Sequence, residues 1–112
     1  MDKVKVAIIG GAGRIGTHLV RRLASGNTYV PVPIIRDKMA QRFLGHDRKL
    51  ARIGSIIDSD SASRLIGDCE VVINLAFSGN TPGAIDNNME LVKAIANLKT
   101  VNVIVNTSTI SV

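Results

Sequence analysis

Residues 4–16 join an apolar strand to a glycine turn and the start of a helix, and this segment constrains the fold more than any other. The run VKVAII is followed at once by Gly10, Gly11, Gly13 and Gly16. The doubled glycine satisfies both GxxGxxG and GxGxxG spacing. A turn of this kind lets a strand pass directly into a helix that packs closely on it. The segment therefore predicts the first β-α unit of a parallel sheet covered by helices.

Apolar runs and helical patterns alternate along the rest of the chain. This alternation is typical of parallel strands joined by crossover helices. Because such crossovers are right-handed, we expect the strand order 3-2-1-4-5. The sequence thus predicts an α/β fold, a Rossmann-type doubly wound parallel sheet of about five strands. Strands are expected at 4–9, 29–35, 50–55, 71–75 and 101–105. The first helix is expected to end near residue 25, the next two to cover 38–44 and 61–66, and the fourth to begin at 81.

Two patterns set expectations for side chains within these elements. Pro31 and Pro33 lack an N–H and, two residues apart, remove ladder donors on the same side of strand 2. Ile34 and Ile35 are then the well-paired part of that strand. Apolar spacing predicts the buried side chains of the helices as Ile15, Leu19 and Leu23, then Met39 and Phe43, then Ile85, Met89, Val92 and Ala96.

The length and composition of the chain limit the class of protein. With 112 residues, of which 46% are apolar, it can bury one core in one domain. Its single cysteine, Cys69, has no disulfide partner and adjoins an apolar run, which predicts a structural thiol in a reducing compartment. Charged residues interrupt the N-terminal apolar run, and no stretch is long enough to span a bilayer. These observations favour a cytoplasmic protein with no membrane partner.

Charge is unevenly distributed along the chain, which has a net charge of +5. Residues 1–52 hold eleven Lys and Arg against three acidic residues, whereas residues 53–112 hold three against six. Only 3% of residues are aromatic and they are not interleaved with the basic ones, so we expect no nucleic-acid partner. An anionic small ligand accounts for the basic half more simply, and the alternative is a solvated basic face with no specific partner. His18 and His46 lack partners at metal-binding spacing, so no metal site is expected.

The glycine turn indicates what this anionic ligand is. Glycines remove side chains where the backbone would meet a pyrophosphate, and the start of the following helix offers N–H groups to it. Asp37 comes 21 residues after Gly16, close to the spacing at which an acidic residue meets the adenosine ribose. The alternative is a structural turn that binds nothing. The succession of strand, turn, helix and second strand favours a dinucleotide.

Four segments resemble the extended short-chain dehydrogenase/reductase family, which includes nucleotide-sugar epimerases, dehydratases and ketone reductases, together with its NmrA-like relatives. These segments are residues 10–16, 35–37, 67–76 and 107–109, and they follow the order of the family. The resemblance implies an NAD(P)-binding first domain of an oxidoreductase or epimerase. It also implies that the full-length protein acts on a small-molecule substrate.

The resemblance further implies roles for individual residues. The pyrophosphate is expected against the turn and helix start formed by Gly10, Gly11, Gly13, Arg14, Ile15 and Gly16. The end of strand 4 is expected to pass beneath the cofactor with Leu75, Ala76 and Phe77. Asn88 matches the asparagine of the fourth helix if one helical turn is deleted before strand 5, and Thr109 matches a catalytic hydroxyl that binds substrate.

The two residues after strand 2 bear on the choice of cofactor. Family members that use NADP place an arginine here against the 2′-phosphate, whereas NAD users place an acid at the strand end. This sequence has Arg36 and then Asp37, one place later than the acid of the NAD pattern. NADP is therefore expected in preference to NAD. The alternative for Arg36 is a solvent-facing side chain paired with Asp37.

The sequence also departs from the family. The aspartate that often meets adenine is Ser55 here, which leaves backbone groups or Asp58 for that contact, unless Asp58 caps the next helix. The acid-base pair YxxxK is missing, since the only tyrosine is Tyr29 and the residue four later is Pro33. Residues 1–112 are thus expected to be a truncated NAD(P)-binding Rossmann domain that lacks the C-terminal part of the fold. Whether the chain is itself an enzyme stays open.

Two other functions and one assembly fit the same residues. A non-catalytic NADP-binding redox sensor of the NmrA-like type would also lack the tyrosine and lysine. The N-terminal domain of a dihydrodipicolinate-type reductase also has the form GxxGRxG, with Thr81-Pro82 after strand 4. The open edge of strand 5 predicts a self-association surface and a homodimer.

Overall fold

The computed structural model describes residues 3–75 and 91–106, which form strands and the helices between them. The strands are β1 (Val4–Ile9), β2 (Tyr29–Ile35), β3 (Arg52–Ile53), β4 (Val71–Asn74) and β5 (Val103–Asn106). The helices are α1 (Arg14–Ala24), α2 (Ser59–Ile66) and α3, which covers 91–96. A 3₁₀ segment, Lys38–Leu50, joins β2 to β3.

The strands form one parallel sheet with β1 at its centre. Every pairing is parallel, and the order is β3-β2-β1-β4-β5. β1 pairs with β2 over its whole length and with β4 from Val6 onward. The predicted α/β, Rossmann-type sheet and its strand order are thus confirmed. Because the chain reverses direction across the sheet at β1, a crevice opens beyond the carboxyl ends of β1 and β4.

Alternate residues of β1 build a core on each face of the sheet, as the twofold period of a strand requires. On one face, Val6 and Ile8 pack with Val20 of α1 and Leu44 of the 3₁₀ segment. The opposite face belongs to α2 and α3, and it buries Ala7, Ile9, Leu65, Ile66 and Ile95. Helices therefore cover both faces, which explains why the central strands are almost wholly apolar.

The two prolines of β2 limit its pairing as predicted. The carbonyl of Ile34 accepts a hydrogen bond from the end of β1 at 3.1 Å, whereas the carbonyl of Ile35 accepts one from Gly54 at 2.8 Å, on the β3 side. Pro31 and Pro33 share the alternation of Ile35, so their missing donors face β3. β3 consequently pairs only with Ile34 and Ile35, and it is two residues long instead of spanning 50–55.

The start of α1 presents a different face to the sheet than the apolar spacing predicts. Ile15 is 69% exposed, so its expected burial is wrong. Gly16 and Val20 are the residues that α1 buries. A residue beside Gly16 on a helix of 3.6 residues per turn points about 100° away from it, toward solvent.

The segment after β2 is a 3₁₀ helix rather than the predicted short α-helix. Its two parts meet at Gly45, which has φ 58° and ψ −125°, so the first part does end there as expected. Met39 and Phe43 are 68% and 60% exposed, and the buried side chain is Leu44. With three residues per turn, the segment turns a different side chain toward the sheet than α-helical spacing would.

Only the last part of the fourth predicted helix is described. Its expected start at Thr81-Pro82, and its expected buried residues Ile85 and Met89, lie outside the described residues. In α3, Ala96 is exposed, contrary to the apolar spacing. The buried residues there are Ala94 and Ile95.

Cys69 is a buried thiol beside the start of β4. It belongs to the same apolar cluster as Val72. Burial raises the pKa of the thiol to about 11, which keeps it protonated near neutral pH. Its surroundings therefore fit the expected structural role.

An ion-pair cluster that the sequence did not reveal ties three parts of the fold together. Asp68 accepts from Lys5 Nζ of β1 at 2.8 Å and from both terminal nitrogens of Arg52 of β3 at 2.7 and 2.8 Å. Arg52 also donates to the carbonyl of Leu65 in α2 at 2.7 Å. Hydrogen bonding by Arg52 and then Lys5 holds the pKa of the Asp68 carboxyl well below its usual range. The cluster fixes the short edge strand β3 against α2.

Asp68→Asn should lower the free energy of unfolding by only about 1 kcal/mol near pH 7, because the three charged hydrogen bonds from Lys5 and Arg52 weaken but the site is partly screened by solvent. The folded-state pKa of Asp68 is depressed, so its stabilisation is fully present above about pH 4 and declines progressively as the pH falls below that. Urea unfolding at pH 7 and pH 2.5 measures this, and the variant should lose less stability between them than the unchanged protein. Asp60→Asn is the control, and an equal effect there would contradict the assignment.

Candidate functional site

The glycine turn lies at the carboxyl end of β1, between the ends of β2 and β4. Gly10 N–H donates to the carbonyl of Ile34 in β2 at 3.1 Å. On the other side, Leu75 N–H donates to the carbonyl of Ile9 at 2.9 Å. The turn therefore occupies the point where strand order reverses, which is where open α/β sheets bind ligands.

Three of the four glycines are required by the fold itself. Gly10 has φ 82°, a conformation that favours glycine. A Cβ at Gly11 would lie 2.5 Å from the Cβ of Pro33. A Cβ at Gly16 would lie 2.7 Å from the carbonyl oxygen of Gly10. Neither position has room for any side chain, because α1 and its turn lie directly against the sheet.

Gly13 differs from the other glycines because packing does not require it. It precedes α1 in an extended conformation with φ −75° and ψ 178°, which any residue adopts. A Cβ there would have its nearest neighbour at 3.4 Å, the carbonyl oxygen of Gly10. The exposed space beside Gly13 is thus available to an approaching ligand, and a side chain would occupy part of it.

The first turn of α1 is a set of hydrogen-bond donors to which the described residues offer no acceptor. Gly13 is the N-cap residue of α1 and has no side chain to accept from the helix N–H groups, and the first turn carries no acidic residue. In the part of the chain that the structure describes, no backbone acceptor receives the N–H groups of Arg14, Ile15 or Gly16. Arg14 adds a positive side chain to the positive end of the helix dipole. An anion at this place would satisfy the donors and offset the charge.

Arg36 and Asp37 follow β2, both exposed, but they are not paired with each other. The Asp37 carboxylate accepts from the N–H of Met39 at 2.9 Å and caps the 3₁₀ segment. No hydrogen bond or ion pair to Arg36 occurs among residues 3–75 and 91–106. The alternative in which Arg36 is held by Asp37 is therefore not what the structure shows.

Asp58 caps α2, as one of the two sequence alternatives expected. Its carboxylate accepts from the N–H of Ser61 at 2.9 Å, and the Ser61 hydroxyl accepts from the N–H of Asp58 at 3.1 Å. The hydrogen bonds from Ser61 lower the pKa of the Asp58 carboxyl. Ser55, at the place of the family's adenine-binding acid, is exposed two residues after β3.

The end of β4 forms the other side of the crevice. Leu75 is partly buried, and its backbone is bonded to β1 beside the turn. Asn74, which is 3% exposed, is a buried polar residue in register with Ile9. The sequence interpretation treated it as part of an apolar strand, although an asparagine closing such a run is a signal of a polar contact at the sheet edge. Ala76, Phe77, Asn88 and Thr109 lie outside the described residues.

The described residues contain neither a candidate metal site nor a helix that could span a membrane. No group of three or more His, Cys, Asp or Glu residues within 3–75 and 91–106 could hold a metal ion. Over the same ranges, no helix is both long and apolar enough to cross a membrane.

The sheet reversal, the unfilled space at Gly13 and the unsatisfied helix start together define a dinucleotide-binding α/β domain. The chain belongs to the NAD dependent epimerase/dehydratase family, which matches residues 6–109. This confirms the predicted family and the predicted NAD(P)-binding domain of the epimerase/dehydratase type. It favours these over the dihydrodipicolinate-type alternative. No curated protein sequence matches the chain.

Solved structures share the fold at low sequence identity. UDP-N-acetylglucosamine 4-epimerase from Bacillus cereus has a TM-score of 0.71 at 20% identity, over 96% of this chain and 39% of its own. UDP-glucuronic acid 4-epimerase from Bacillus cereus, in complex with NAD, has a TM-score of 0.69 at 20% identity, over 95% of this chain and 40% of its own. A short-chain dehydrogenase/reductase from Veillonella parvula DSM 2008, in complex with NADP, has a TM-score of 0.68 at 19% identity, over 94% of this chain and 47% of its own. The chain spans about two fifths of the length of the two epimerases.

Gly13→Ala should leave the fold intact and weaken NAD(P) binding at least tenfold. The added methyl meets only a 3.4 Å neighbour but enters the space beside the helix start. Gly16→Ala is the contrasting variant, since a Cβ 2.7 Å from backbone atoms of Gly10 and Gly11 forces α1 away from the glycine turn and should cost about 1–3 kcal/mol of stability. Thermal unfolding and cofactor fluorescence titration of both variants test this. Undiminished cofactor affinity in Gly13→Ala would contradict the assignment.

Proposed function

We propose that this chain provides the cofactor-binding part of an NADP-preferring oxidoreductase or epimerase/dehydratase. The observation that carries the cofactor preference is the state of the two residues after β2. Arg36 is exposed and uncommitted among the described residues, while the Asp37 carboxylate is used within the protein as a cap. A cation is thus available at this place and an acid is not.

The pyrophosphate is proposed to lie against the start of α1. Its oxygens would accept from the N–H groups of Arg14, Ile15 and Gly16, and Gly13 leaves room for the approach. The side chain of Arg14 would add a charged contact. Gly10 and Gly11 serve this site indirectly by shaping the turn. Gly10 does so through its positive φ, and Gly11 through its close approach to Pro33.

The 2′-phosphate of the adenosine ribose is proposed to meet Arg36. A guanidinium matches phosphate geometry with two parallel donors, and no described acidic residue competes for it. NAD would instead require a carboxylate on the ribose hydroxyls. The Asp37 carboxylate could reach them only by giving up its bond to the N–H of Met39. The relatives include complexes with both NAD and NADP, so this preference rests on these two residues.

The nicotinamide end is proposed to run along the end of β4. Leu75, held beside the turn by its bond to Ile9, begins this path. The family resemblance implies that Ala76 and Phe77 would continue it. We further propose that Asn88 and Thr109 contact cofactor and substrate, as the family resemblance implies. The cytoplasmic location, the homodimer and the small-molecule substrate predicted from the sequence are likewise proposals.

Acid-base chemistry is not supplied by Tyr29. It pairs with Val4 at the amino end of the sheet, the end opposite the glycine turn. With about 3.3 Å per strand residue, it lies well over 10 Å from the cofactor site. A full-length enzyme would need its proton donor from residues beyond this sheet, and a redox sensor would need none.

Arg36→Ala should weaken NADPH binding at least tenfold and change NADH binding by less than twofold, because only NADPH carries the phosphate that Arg36 meets. Fluorescence titration with each cofactor measures the two dissociation constants. Arg64→Ala is the control, since Arg64 is an exposed cation of α2, on the opposite side of the sheet from the proposed site. An equal loss for both cofactors in Arg36→Ala would show that the arginine does not read the phosphate.

Asp37→Ser should preserve both cofactor affinities within about twofold, because serine also caps a helix start. Asp37→Ala should lower the free energy of unfolding by about 1 kcal/mol through loss of the cap. Urea unfolding and titration with NADPH and NADH separate these effects. A tenfold loss of NADH affinity in Asp37→Ser, with stability retained, would instead place the carboxylate on the ribose.

A further inference from the structure

The outer surface of α1 and the 3₁₀ segment is strongly positive. Both elements lie on the same face of the sheet, where Val20 and Leu44 belong to one apolar cluster. We call their exposed surface the basic face. Its cations are Arg14, Arg21, Arg22, Lys38, Arg42, Arg48 and Lys49, all of them exposed.

The charge of the basic face is not neutralised locally. α1 contains no acidic residue, and the 3₁₀ segment contains one, Asp47. The ion pairs among the described residues join Asp68 to Lys5 and Arg52, outside this face. Arg42 lies over the ring of Phe43 at 4.9 Å, a contact that leaves its charge uncompensated.

Local helix electrostatics explain only part of this pattern. Arg21 and Arg22 are in the last turn of α1, where a cation is favourable. Arg14 and Lys38 are at the opposite ends of their elements, where the helix dipole disfavours a cation. The whole set is therefore not explained by stabilisation of the two helices.

The basic face begins at the site described above. Arg14 begins α1 at the glycine turn, and at 1.5 Å per residue Arg21 and Arg22 lie roughly 10 Å farther along the axis. Lys38 follows Arg36 by two residues. The cations thus run from the proposed phosphate contacts outward over one face. The opposite face, at α2, presents Arg64 together with Asp58 and Asp60.

We propose that the basic face steers the anionic cofactor into the glycine turn, and that Arg21 and Arg22 speed its association without touching it. The proposal rests on the proposed NADP function and concerns the rate of capture. Fields of like-charged surfaces raise association rates by factors of 10 or more at low salt. NADPH carries about two more negative charges than NADH through its phosphate, so the face favours NADPH kinetically as well.

The test is stopped-flow fluorescence of NADPH binding to the protein at about 10 mM and about 500 mM salt, where the Debye length changes from roughly 30 Å to below 10 Å. Arg21→Glu/Arg22→Glu should lower the association rate constant threefold to tenfold at low salt, with the dissociation rate constant unchanged within twofold. At high salt the two proteins should associate at the same rate. With NADH the reduction at low salt should be smaller.

The matched control is Arg64→Glu/Lys99→Glu, which makes the same change of net charge on the side of the sheet covered by α2 and α3. This control should reduce the association rate constant by less than twofold. Equal reductions in both double variants would show that only net charge matters and would overturn the proposal. Unchanged association in Arg21→Glu/Arg22→Glu would overturn it as well.

Two further outcomes are informative. Arg21→Gln/Arg22→Gln, which removes the charges without reversing them, should give a smaller reduction of the same kind, and thermal unfolding verifies the fold of each variant. If the unchanged protein binds duplex DNA at 150 mM salt and NADPH displaces none of it, the face belongs to nucleic acid and steering is overturned. If the unchanged protein binds no NADPH, the proposed function itself fails. That result differs from failure of steering, in which NADPH still binds but the association rate constant does not depend on Arg21 and Arg22.

Discussion

The close contact of α1 with the centre of the sheet is the constraint on which the rest of the structure depends. Gly16 and Gly11 bring helix and turn against the strands, with Pro33 filling the surface that Gly11 meets. This contact sets which side of α1 is buried and directs its first turn at the carboxyl ends of β1 and β4. Close packing therefore produces the open helix start, and the proposed anion site is a consequence of how the core is assembled.

Pro33 connects this contact to the edge of the sheet. Its ring packs against the glycine turn, and its missing N–H, with that of Pro31, leaves the β3 side of β2 without early donors. β3 is short as a result, and the chain crosses to it through a 3₁₀ segment that Asp37 caps. The cap in turn occupies the carboxylate and leaves Arg36 as the uncommitted charge. The proposed preference for NADP is thus linked to strand pairing, because the same short connection after β2 carries both the cap and Arg36.

Most of the fold was predictable because its signals are local in sequence. The bounds of β1 and β2, the turn and the cap by Asp58 each follow from a few adjacent residues. The exposure of Ile15 and Met39 was not predictable, since it depends on how far a helix rotates when glycine contacts or 3₁₀ winding decide its face. The ion-pair cluster joins Asp68 to Lys5, which is 63 positions away in the sequence, and to Arg52, which is 16 positions away. No sequence period marks such pairings.

The site is organised by charge that the fold leaves unbalanced. A first turn with no cap and with Arg14 is a poor helix start by itself, because donors go unsatisfied and like charges adjoin. The apolar contacts of Val20 hold α1 in place despite this cost. A bound dinucleotide would satisfy the donors, so its binding energy would also add to stability through mass action. The same imbalance that weakens the helix start by itself would therefore favour the dinucleotide-bound state, and the Asp37 carboxylate does not offset it because it caps the 3₁₀ segment.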